Sequence, residues 1–222
     1  MERFMAAVAL RIDIVSDIVC PWCYVGYGAL KQALKQLEGQ VDATIYWHAY
    51  ELNPDMPSGG ELLEDYLYRV LAHNDSLRQA VRQEIEAQAA LVGVPIDYER
   101  VKRVYNTFDA HRLLLWAGAT AGPEAQTALQ EALFEHYFED GDDPCSPEVL
   151  LTAVVQAGLD TEEALAIIDS DIGRDAVQAN HQRLHEMGIT SVPAWIINEH
   201  HWLQGALSVE EFVQALNDAA NV

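Results

Sequence analysis

The sequence predicts an α/β fold in which a small β-sheet is interrupted by a large all-helical insertion. Strand-like patterns lie near both ends of the chain, and helical periodicity fills almost all of residues 61 to 187. A Cys-Pro-Trp-Cys tetrapeptide, Cys20–Cys23, stands where the first strand gives way to the first helix. The length of 222 residues suits one large domain, or one domain that carries an insertion.

The composition indicates a folded chain with a strongly acidic surface. Half of the residues are hydrophobic, and 35 acidic against 13 basic residues give a formal net charge of −22. Such a charge repels phosphate backbones and anionic lipid headgroups, so it counts against nucleic acids and membranes as partners. Met1–Leu10 lacks the features of a cleaved signal peptide, and no apolar run approaches the ~18 residues of a transmembrane helix. We therefore expect a soluble, cytoplasmic protein.

The chain begins with a predicted strand–helix–strand unit. Residues 9–16 are rich in Val and Ile and predict a buried strand, after which a short loop ends at Cys20. Leucines at helical spacing follow as far as Gly39, which ends the helix, and residues 41–48 alternate as a second strand. Turn-forming residues crowd Glu51–Gly60 and mark a boundary.

The β signal returns only near the end of the chain. Pro193–Ile197 and Trp202–Gln204 predict a hairpin, and an amphipathic helix follows from about Ser208. A cysteine pair at the first helix, with a hairpin much later, is the arrangement of a thioredoxin-type fold.

This order predicts an α/β, thioredoxin-like fold with a large all-helical insertion. Residues 8–58 and 188–222 would form the thioredoxin-like domain, and residues 59–187 would form the helical insertion domain. The insertion explains why a chain of this length need not contain two independent domains.

The cysteine pair admits three interpretations. Half of a zinc site would need about four ligands in all, but Cys145 lies far along the chain and the 8 histidines are not spaced like a structural zinc site, so we expect no metal. Two inert buried thiols are the second interpretation. The third, a dithiol redox centre, is favoured because a cysteine that follows a strand and opens a helix meets free backbone N–H groups and the helix dipole.

In the redox interpretation the two cysteines have different roles. Cys20 attacks a partner disulfide to give a mixed disulfide, and Cys23, one turn further on and facing inward, resolves it. Pro21 suits the early helical position because its missing N–H costs little there. Disulfide exchange runs in both directions, so the motif leaves oxidase, reductase and isomerase open.

The dipeptide Val192–Pro193 is the second element of the predicted site. Cis peptide bonds form almost only before proline, and a strand that opens with proline has no N–H to donate there. Thioredoxin-type folds place a cis-proline loop beside the cysteine pair. We therefore expect a cis bond here and a substrate-binding wall formed by Val192 and Pro193, with an ordinary trans proline as the alternative.

Together these motifs resemble the DsbA-like thioredoxin superfamily, and within it the cytosolic FrnE-type dithiol–disulfide oxidoreductases. The matching stretches are Asp17–Gly26 (DIVCPWCYVG), Glu51–Pro57, Asn106–Leu113, Leu133–Phe138 and Gly188–Trp195. The resemblance implies Cys20 as the attacking thiol, Cys23 as the resolving thiol and Pro193 as the cis-proline. It implies that Trp22 tunes the redox potential and offers an apolar face to substrate. Cys145 is outside the pattern and is expected to be a free thiol in the helical block.

Two further residues are candidates for the same site. Asn53 follows the second strand and would contact a bound peptide or glutathione, or else only cap its turn. His111, beside Arg112 at the start of a helix, would hold a carboxylate or stabilise a thiolate, or else border the core.

Three functions are compatible with these residues. The favoured one is exchange with protein or small-molecule thiols and disulfides, by a monomer or homodimer whose only redox group is its own dithiol, with glutathione as a further co-substrate. The alternative is a glutathione-dependent isomerase or transferase resembling 2-hydroxychromene-2-carboxylate isomerases and kappa-class transferases, which generally carry Ser where Cys20 stands. A binding protein with incidental thiols is the third.

Overall fold

The computed structural model describes residues 7–71 and 73–221. Its strands are β1 (Val8–Ser16), β2 (Val41–Ala49), β3 (Glu61–Leu62), β4 (Arg103–Val104), β5 (Ala194–Ile197) and β6 (His201–Gln204). Its helices are α1 (Pro21–Gln36), α2 (Leu63–Val70), α3 (Asp75–Val92), α4 (Phe108–Ala121), α5 (Pro123–Glu135), α6 (Pro147–Gln156), α7 (Thr161–Ile168), α8 (Arg174–Glu186) and α9 (Val209–Ala220). A π-helical turn, His136–Asp140, continues α5 directly. Within the described ranges no helix has both the length and the apolar composition needed to cross a bilayer.

The main sheet has four strands in the order β2–β1–β5–β6. β1 runs parallel to β2, as expected for two strands joined by a crossover helix, and antiparallel to β5. β1 thus lies in the middle of the sheet, and its residues Ile12–Ser16 are all buried. The predicted α/β, thioredoxin-like fold with a helical insertion is confirmed.

Alternate residues of the central strands face two different apolar layers. Ile12 and Ile14 of β1 join the main core, to which α1 and α9 also contribute. Val15 points to the other face, where it packs in a smaller cluster with Leu184 of α8 and Ile196 of β5. The sheet is therefore covered on both faces, and the end of β1 is held rigidly where it leads into the cysteine pair.

The outer edge of the sheet, at β2, is covered by the helical block. Buried Gln126 of α5 accepts a hydrogen bond from the Trp47 backbone N–H and donates one to the Trp47 carbonyl, each at 3.0 Å. An open strand edge is a template for pairing with another chain. The side-chain amide supplies here the donor and acceptor that a further strand would have supplied.

Two glycines in α1 allow neighbouring elements to approach the helix closely. A Cβ atom at Gly26 would lie 2.7 Å from Cζ2 of Trp195, and one at Gly28 would lie 2.5 Å from Cγ2 of Val94. Glycine within a helix costs roughly 0.5–1 kcal/mol relative to alanine, and the close packing offsets that cost. α1 is thereby fixed between β5 and the segment after α3, with the cysteines at its first turn.

The helical block contains a short β-ladder that the sequence does not predict. β3 pairs antiparallel with β4, with Glu61 opposite Val104 and Leu62 opposite Arg103. Two residues per strand are too few for an alternating pattern to be recognised, so only helical periodicity was visible there. The predicted division into residues 8–58 with 188–222 and residues 59–187 stays a prediction.

Candidate active site

The two cysteines lie at the start of α1, directly after the central strand. Cys20 precedes the helix; its N–H donates to the Asp17 carbonyl at 3.1 Å, and its carbonyl accepts from the Cys23 N–H at 3.0 Å. Pro21 is the first helical residue, as predicted. The first turn, which the structure describes in full, contains no acidic side chain. The positive end of the helix therefore meets Cys20 without a competing carboxylate.

Cys23 is the inner of the two thiols. Its exposed fraction is 1%, against 4% for Cys20, and neither forms a disulfide. Burial, followed by the adjacent Cys20 sulfur, raises the pKa of the Cys23 thiol well above its ordinary value. Hydrogen bonds with the Ser16 side chain and the Asp17 backbone lower that pKa only in part. Cys23 therefore keeps its proton in the reduced protein and must lose it before it can act as a nucleophile.

The predicted cis-proline loop lies at the same end of β1 as the cysteines. The peptide bond between Val192 and Pro193 is cis. Because Val15 pairs with Ala194, Pro193 comes next to the end of β1, where the chain turns toward Cys20. Pro193 is buried and Val192 is half-buried. Their part in substrate binding stays a prediction.

Behind the cysteines, toward α4, lies a group of buried polar side chains that we call the back cluster: Asp17, Glu51 and His111. His111 is 1% exposed, and its Nε2 lies 3.5 Å from Asp17 Oδ1, beyond ordinary hydrogen-bond length. Within the described chain, both ring nitrogens of His111, Asp17 Oδ1 and Glu51 Oε1 are buried without a hydrogen-bond partner. Because the great majority of buried polar groups in native proteins are paired, such a concentration beside the dithiol is unusual.

The back cluster extends to the surface at Glu51. Burial raises the pKa of Glu51, nearby His111 opposes this, and Asp17 adds to it. Burial, followed by His111, lowers the pKa of His181, whose Nε2 accepts from the Glu51 N–H at 3.2 Å. Glu51 and His181 both line clefts that open to solvent. Glu51 therefore belongs to the buried back cluster and also lines clefts that are open to solvent.

Of the predicted pair His111 and Arg112, only His111 faces the site. The Arg112 guanidinium donates to Asp109 and to three backbone carbonyls in residues 167–172. Arg112 therefore ties α4 to the end of α7. His111 has a carboxylate as its neighbour, as expected, but that carboxylate belongs to Asp17 of the protein itself; its predicted part in substrate binding stays a prediction.

In front of the cysteines lies an apolar cavity of about 270 Å³, which we call the front cavity. Val19 and Pro21, the residues on either side of Cys20, form part of its wall, and so does Asn53. The larger part of the wall comes from α2, α3 and the segment after α3, through Leu63, Tyr66, Leu67, Ile85, Tyr98 and Val101. The Nδ2 atom of Asn53 is buried and has no hydrogen-bond partner among the described residues. Asn53 thus shares this wall with the two residues that flank Cys20, and its contact with a bound peptide or glutathione stays a prediction.

Trp22, the other residue of the motif, is half-buried and packs against the main core. Its exposed part therefore lies beside Cys20, and its influence on the redox potential stays a prediction.

Sequence reasoning did not identify most of the residues around the dithiol. Asp17 and Glu51 lie in stretches that the sequence pattern indicates as loop or family motif, and neither residue was predicted to be part of the site. An acidic residue three positions before Cys20, in apolar surroundings, could have indicated Asp17. The cavity wall in α2 and α3 was visible only as helical periodicity, in which Tyr66 and Ile85 are ordinary apolar positions.

Two other groups of possible ligand or redox atoms are explained by local packing. Cys145 is a free, partly buried thiol in the turn before α6, and its Sγ accepts from the Ala110 N–H at 3.4 Å. His136, Asp140 and Asp142 bring possible ligand atoms within 4.8 Å of one another. Both ring nitrogens of His136 already have partners, Asp142 and Gln156, so hydrogen bonding accounts for the cluster. That the protein needs no metal stays a prediction.

Comparison with known proteins gives matches over nearly the whole chain. Residues 11–217 match the family model described as DSBA-like thioredoxin domain. The uncharacterised protein YwbO of Bacillus subtilis is 26% identical over 214 residues, which are 95% of this chain and 98% of that protein. The crystal structure of a probable DsbA oxidoreductase from Streptomyces coelicolor is 30% identical, with a TM-score of 0.85 over 96% of this chain and 90% of that one. The cytosolic disulfide reductase DsbM from Pseudomonas aeruginosa is 18% identical, with a TM-score of 0.63 and 95% of each chain covered.

Proposed function

The chain belongs to the family of DSBA-like thioredoxin domains, and from this premise we propose that it is a thiol–disulfide oxidoreductase whose redox centre is Cys20 and Cys23. The single observation that best supports the proposal is the arrangement at the end of β1. Two thiols stand at the positive end of α1, next to a cis-proline loop. Similarity to a probable DsbA oxidoreductase, at 30% identity, adds support.

The proposed reaction is a two-step exchange. The Cys20 thiolate attacks one sulfur of a substrate disulfide, which forms a mixed disulfide and releases the other sulfur as a thiolate. Cys23 then loses its proton and attacks the Cys20 sulfur, which releases the second substrate thiolate and closes the Cys20–Cys23 disulfide. Two electrons pass from the protein to the substrate, and the reverse sequence oxidises a substrate dithiol.

Cys23 is suited to the resolving step by its position. It lies one turn inside α1 and is 1% exposed against 4% for Cys20, so a substrate meets Cys20 first. Its raised pKa keeps it from competing with Cys20 for substrate. The same pKa makes proton removal a requirement of the second step.

The decisive experiment compares the wild type with Cys20→Ser and Cys23→Ser in insulin reduction and in refolding of a scrambled protein. We expect Cys20→Ser to lose both activities. We expect Cys23→Ser to accumulate a mixed disulfide with substrate, visible by mass spectrometry, because the resolving thiol is missing. Equal activity of all three proteins would contradict the proposal.

The substrates we propose are protein or small-molecule thiols and disulfides, in a cytoplasmic, FrnE-type role, as the sequence motifs predict. The glutathione-dependent isomerase alternative is less favoured because such enzymes generally have Ser in place of Cys20 and no resolving thiol. If Cys20→Ser isomerised a chromene carboxylate in the presence of glutathione, that alternative would replace our proposal.

A further inference from the structure

The front cavity is lined by Val19 and Pro21, the two residues that flank the reactive thiol, but disulfide exchange itself does not require it. We propose that it binds small, uncharged, largely apolar disulfides and thiols, and that it presents their sulfur to Cys20. This inference rests on the proposed function and narrows its substrate class. The cavity would favour compounds of the size of one or two rings over glutathione, because glutathione carries ionised carboxylates.

The position of the cavity links it to the chemistry. Val19 and Pro21 flank Cys20 in the sequence, and both residues line the cavity. Tyr98 also lines the cavity, and a thiolate at Cys20 contributes to the raised pKa of Tyr98, after burial and Glu86. A ligand in the cavity therefore lies beside Tyr98 and beside the two residues that flank the attacking sulfur.

The size and lining of the cavity suit a small apolar ligand. Its volume of about 270 Å³ is just below the range of about 300–1,000 Å³ for pockets that hold drug-sized ligands. Leucines, valines and aromatic rings form most of its surface, and Tyr66 and Tyr98 supply two of the ring faces. An aromatic group is well accommodated by such walls.

One polar atom in the wall gives the cavity a recognition element. The Nδ2 atom of Asn53 is a buried donor without a partner in the described chain. After a small rotation of the Asn53 side chain into the cavity, a carbonyl or hydroxyl oxygen of a ligand would accept its hydrogen bond. We therefore expect the preferred compounds to carry one such neutral acceptor.

The charged residues of the wall argue against an anionic ligand. Arg78 already pairs with Glu64 at 3.1 Å and Asp75 at 3.2 Å. Arg82 pairs with Glu86 at 2.9 Å and also faces Glu99 at 3.6 Å. Each arginine at the cavity is therefore already matched by two carboxylates.

The net charge of −22 also repels an anionic ligand at long range, in addition to the lack of an unpaired arginine in the wall. A carboxylate on the ligand would find no free positive charge among the described residues of the wall. Neutral compounds avoid that cost.

The chemistry at the cavity is the exchange already described. With a symmetrical disulfide, the reduced protein is oxidised to the Cys20–Cys23 disulfide, and the ligand leaves as two thiols. A single turnover of pre-reduced protein contains every reactant. Continuous turnover would require a dithiol reductant such as dithiothreitol.

The test uses two disulfides that differ mainly in charge, 4,4′-dithiobis(benzamide) and 4,4′-dithiobis(benzoate), with oxidised glutathione as a third probe. Single-turnover rates of pre-reduced protein are divided by each probe's rate with dithiothreitol, which removes differences in intrinsic reactivity. We expect the normalised rate of the diamide to be about tenfold higher than those of the dicarboxylate and of glutathione disulfide. The reason is that the wall has no unpaired cation to bind the carboxylates of the two charged probes.

The variants locate the preference in the cavity. Ile85→Trp fills it and should abolish the preference, whereas Leu91→Trp, on the same helix but 72% exposed and outside the wall, should keep it. If Ile85→Trp lacks a cooperative thermal transition, Asn53→Leu serves instead, and it should lower the diamide rate several-fold.

Equal normalised rates for all three probes, or a preference that survives both cavity variants, would overturn the inference and leave the dithiol chemistry intact. If no probe oxidised the wild-type protein at all, the proposed function itself would fail.

Discussion

The front cavity is lined by the residues that flank Cys20, and the back cluster contains Asp17, whose carbonyl accepts the Cys20 N–H; the two regions differ in how their walls are paired. The front cavity is unfilled, and most of its surface is apolar and needs no partner, although Asn53 Nδ2 in its wall has no hydrogen-bond partner among the described residues. The back cluster is filled, but four of its buried polar atoms have no hydrogen-bond partner in the described chain. A largely apolar cavity can accept a ligand, whereas a concentration of unpaired buried groups lowers stability. Substitutions in the front cavity should therefore change the choice of substrate, and substitutions in the back cluster should change the stability of the fold.

The largest effect is expected at His111. His111→Leu removes the side chain next to Asp17 Oδ1 and leaves a buried carboxylate facing a hydrocarbon. An uncompensated buried charge costs about 3–5 kcal/mol, while removing two unpaired ring nitrogens recovers about 1–3 kcal/mol. We expect a net loss of about 2 kcal/mol in the free energy of unfolding, measured by urea denaturation.

A double-mutant cycle checks this explanation. Asp17→Asn keeps an acceptor for the Leu52 N–H, which Asp17 Oδ2 now binds at 2.7 Å, but removes the charge. In the His111→Leu background Asp17→Asn should recover most of the lost stability, whereas in the wild type it should not stabilise. Additive effects would mean that Asp17 and His111 do not interact, and the comparison between the two sides would lose its basis.

Asp13 is a buried carboxylate whose hydrogen bonds are made, and it provides the opposite case to the back cluster. Arg11 donates to both of its oxygens at 2.6 Å, and His48 Nε2 lies 2.7 Å from Oδ1. Burial alone would raise the pKa of Asp13, but the hydrogen bonds from His48 and Arg11 lower it from 3.8 to about 2. The stabilisation is present above pH 3.8 and is lost as the pH falls toward 2. We expect Asp13→Asn to cost about 1–2 kcal/mol at pH 7 and nothing near pH 2, by chemical denaturation across that range.

Glu51 should affect stability with a pH dependence opposite to that of Asp13. Its pKa is raised from 4.5, chiefly by burial, so the folded protein holds a proton that the unfolded chain releases. Stability is therefore full below 4.5 and falls as the pH rises through the raised pKa. Glu51→Gln should be nearly neutral at pH 4 and stabilising by about 1 kcal/mol at pH 7, which would raise Tm by about 2–4 °C for a chain of this size. A lower Tm at pH 7 would show that the Glu51 charge is compensated in the fold.

The sequence predicts those parts of the site that depend on local chemistry. Cys20 and Pro21 come directly after a predicted strand, and this order predicts the start of a helix. The cis bond before Pro193 is predicted by the residue type and by its place in a thioredoxin-like fold. The strands β1 and β2 begin and end within about one residue of their predicted limits because their patterns are long and apolar.

The two sides of the dithiol could not be predicted because they depend on contacts between distant segments. Asp17 and His111 are 94 positions apart in the sequence, and their approach is set by how α4 packs against β2. The front cavity forms where α2 and α3 fail to fill the space beside Pro21. Periodicity identifies apolar faces, but not whether two such faces leave a gap.

The smallest effect is expected at Cys145, which lies outside both regions. Burial raises the pKa of its thiol, and its Sγ accepts the Ala110 N–H, so it is a poor nucleophile with a local packing role. Cys145→Ser offers a hydroxyl to the same N–H and should change the exchange rate by less than about twofold, because Cys145 takes no part in the two-step exchange. Insulin reduction by this variant, measured beside Cys20→Ser, checks it. A large loss of activity in Cys145→Ser would mean that a third thiol takes electrons from the pair, and the chemistry could not then be assigned to the space between the front cavity and the back cluster.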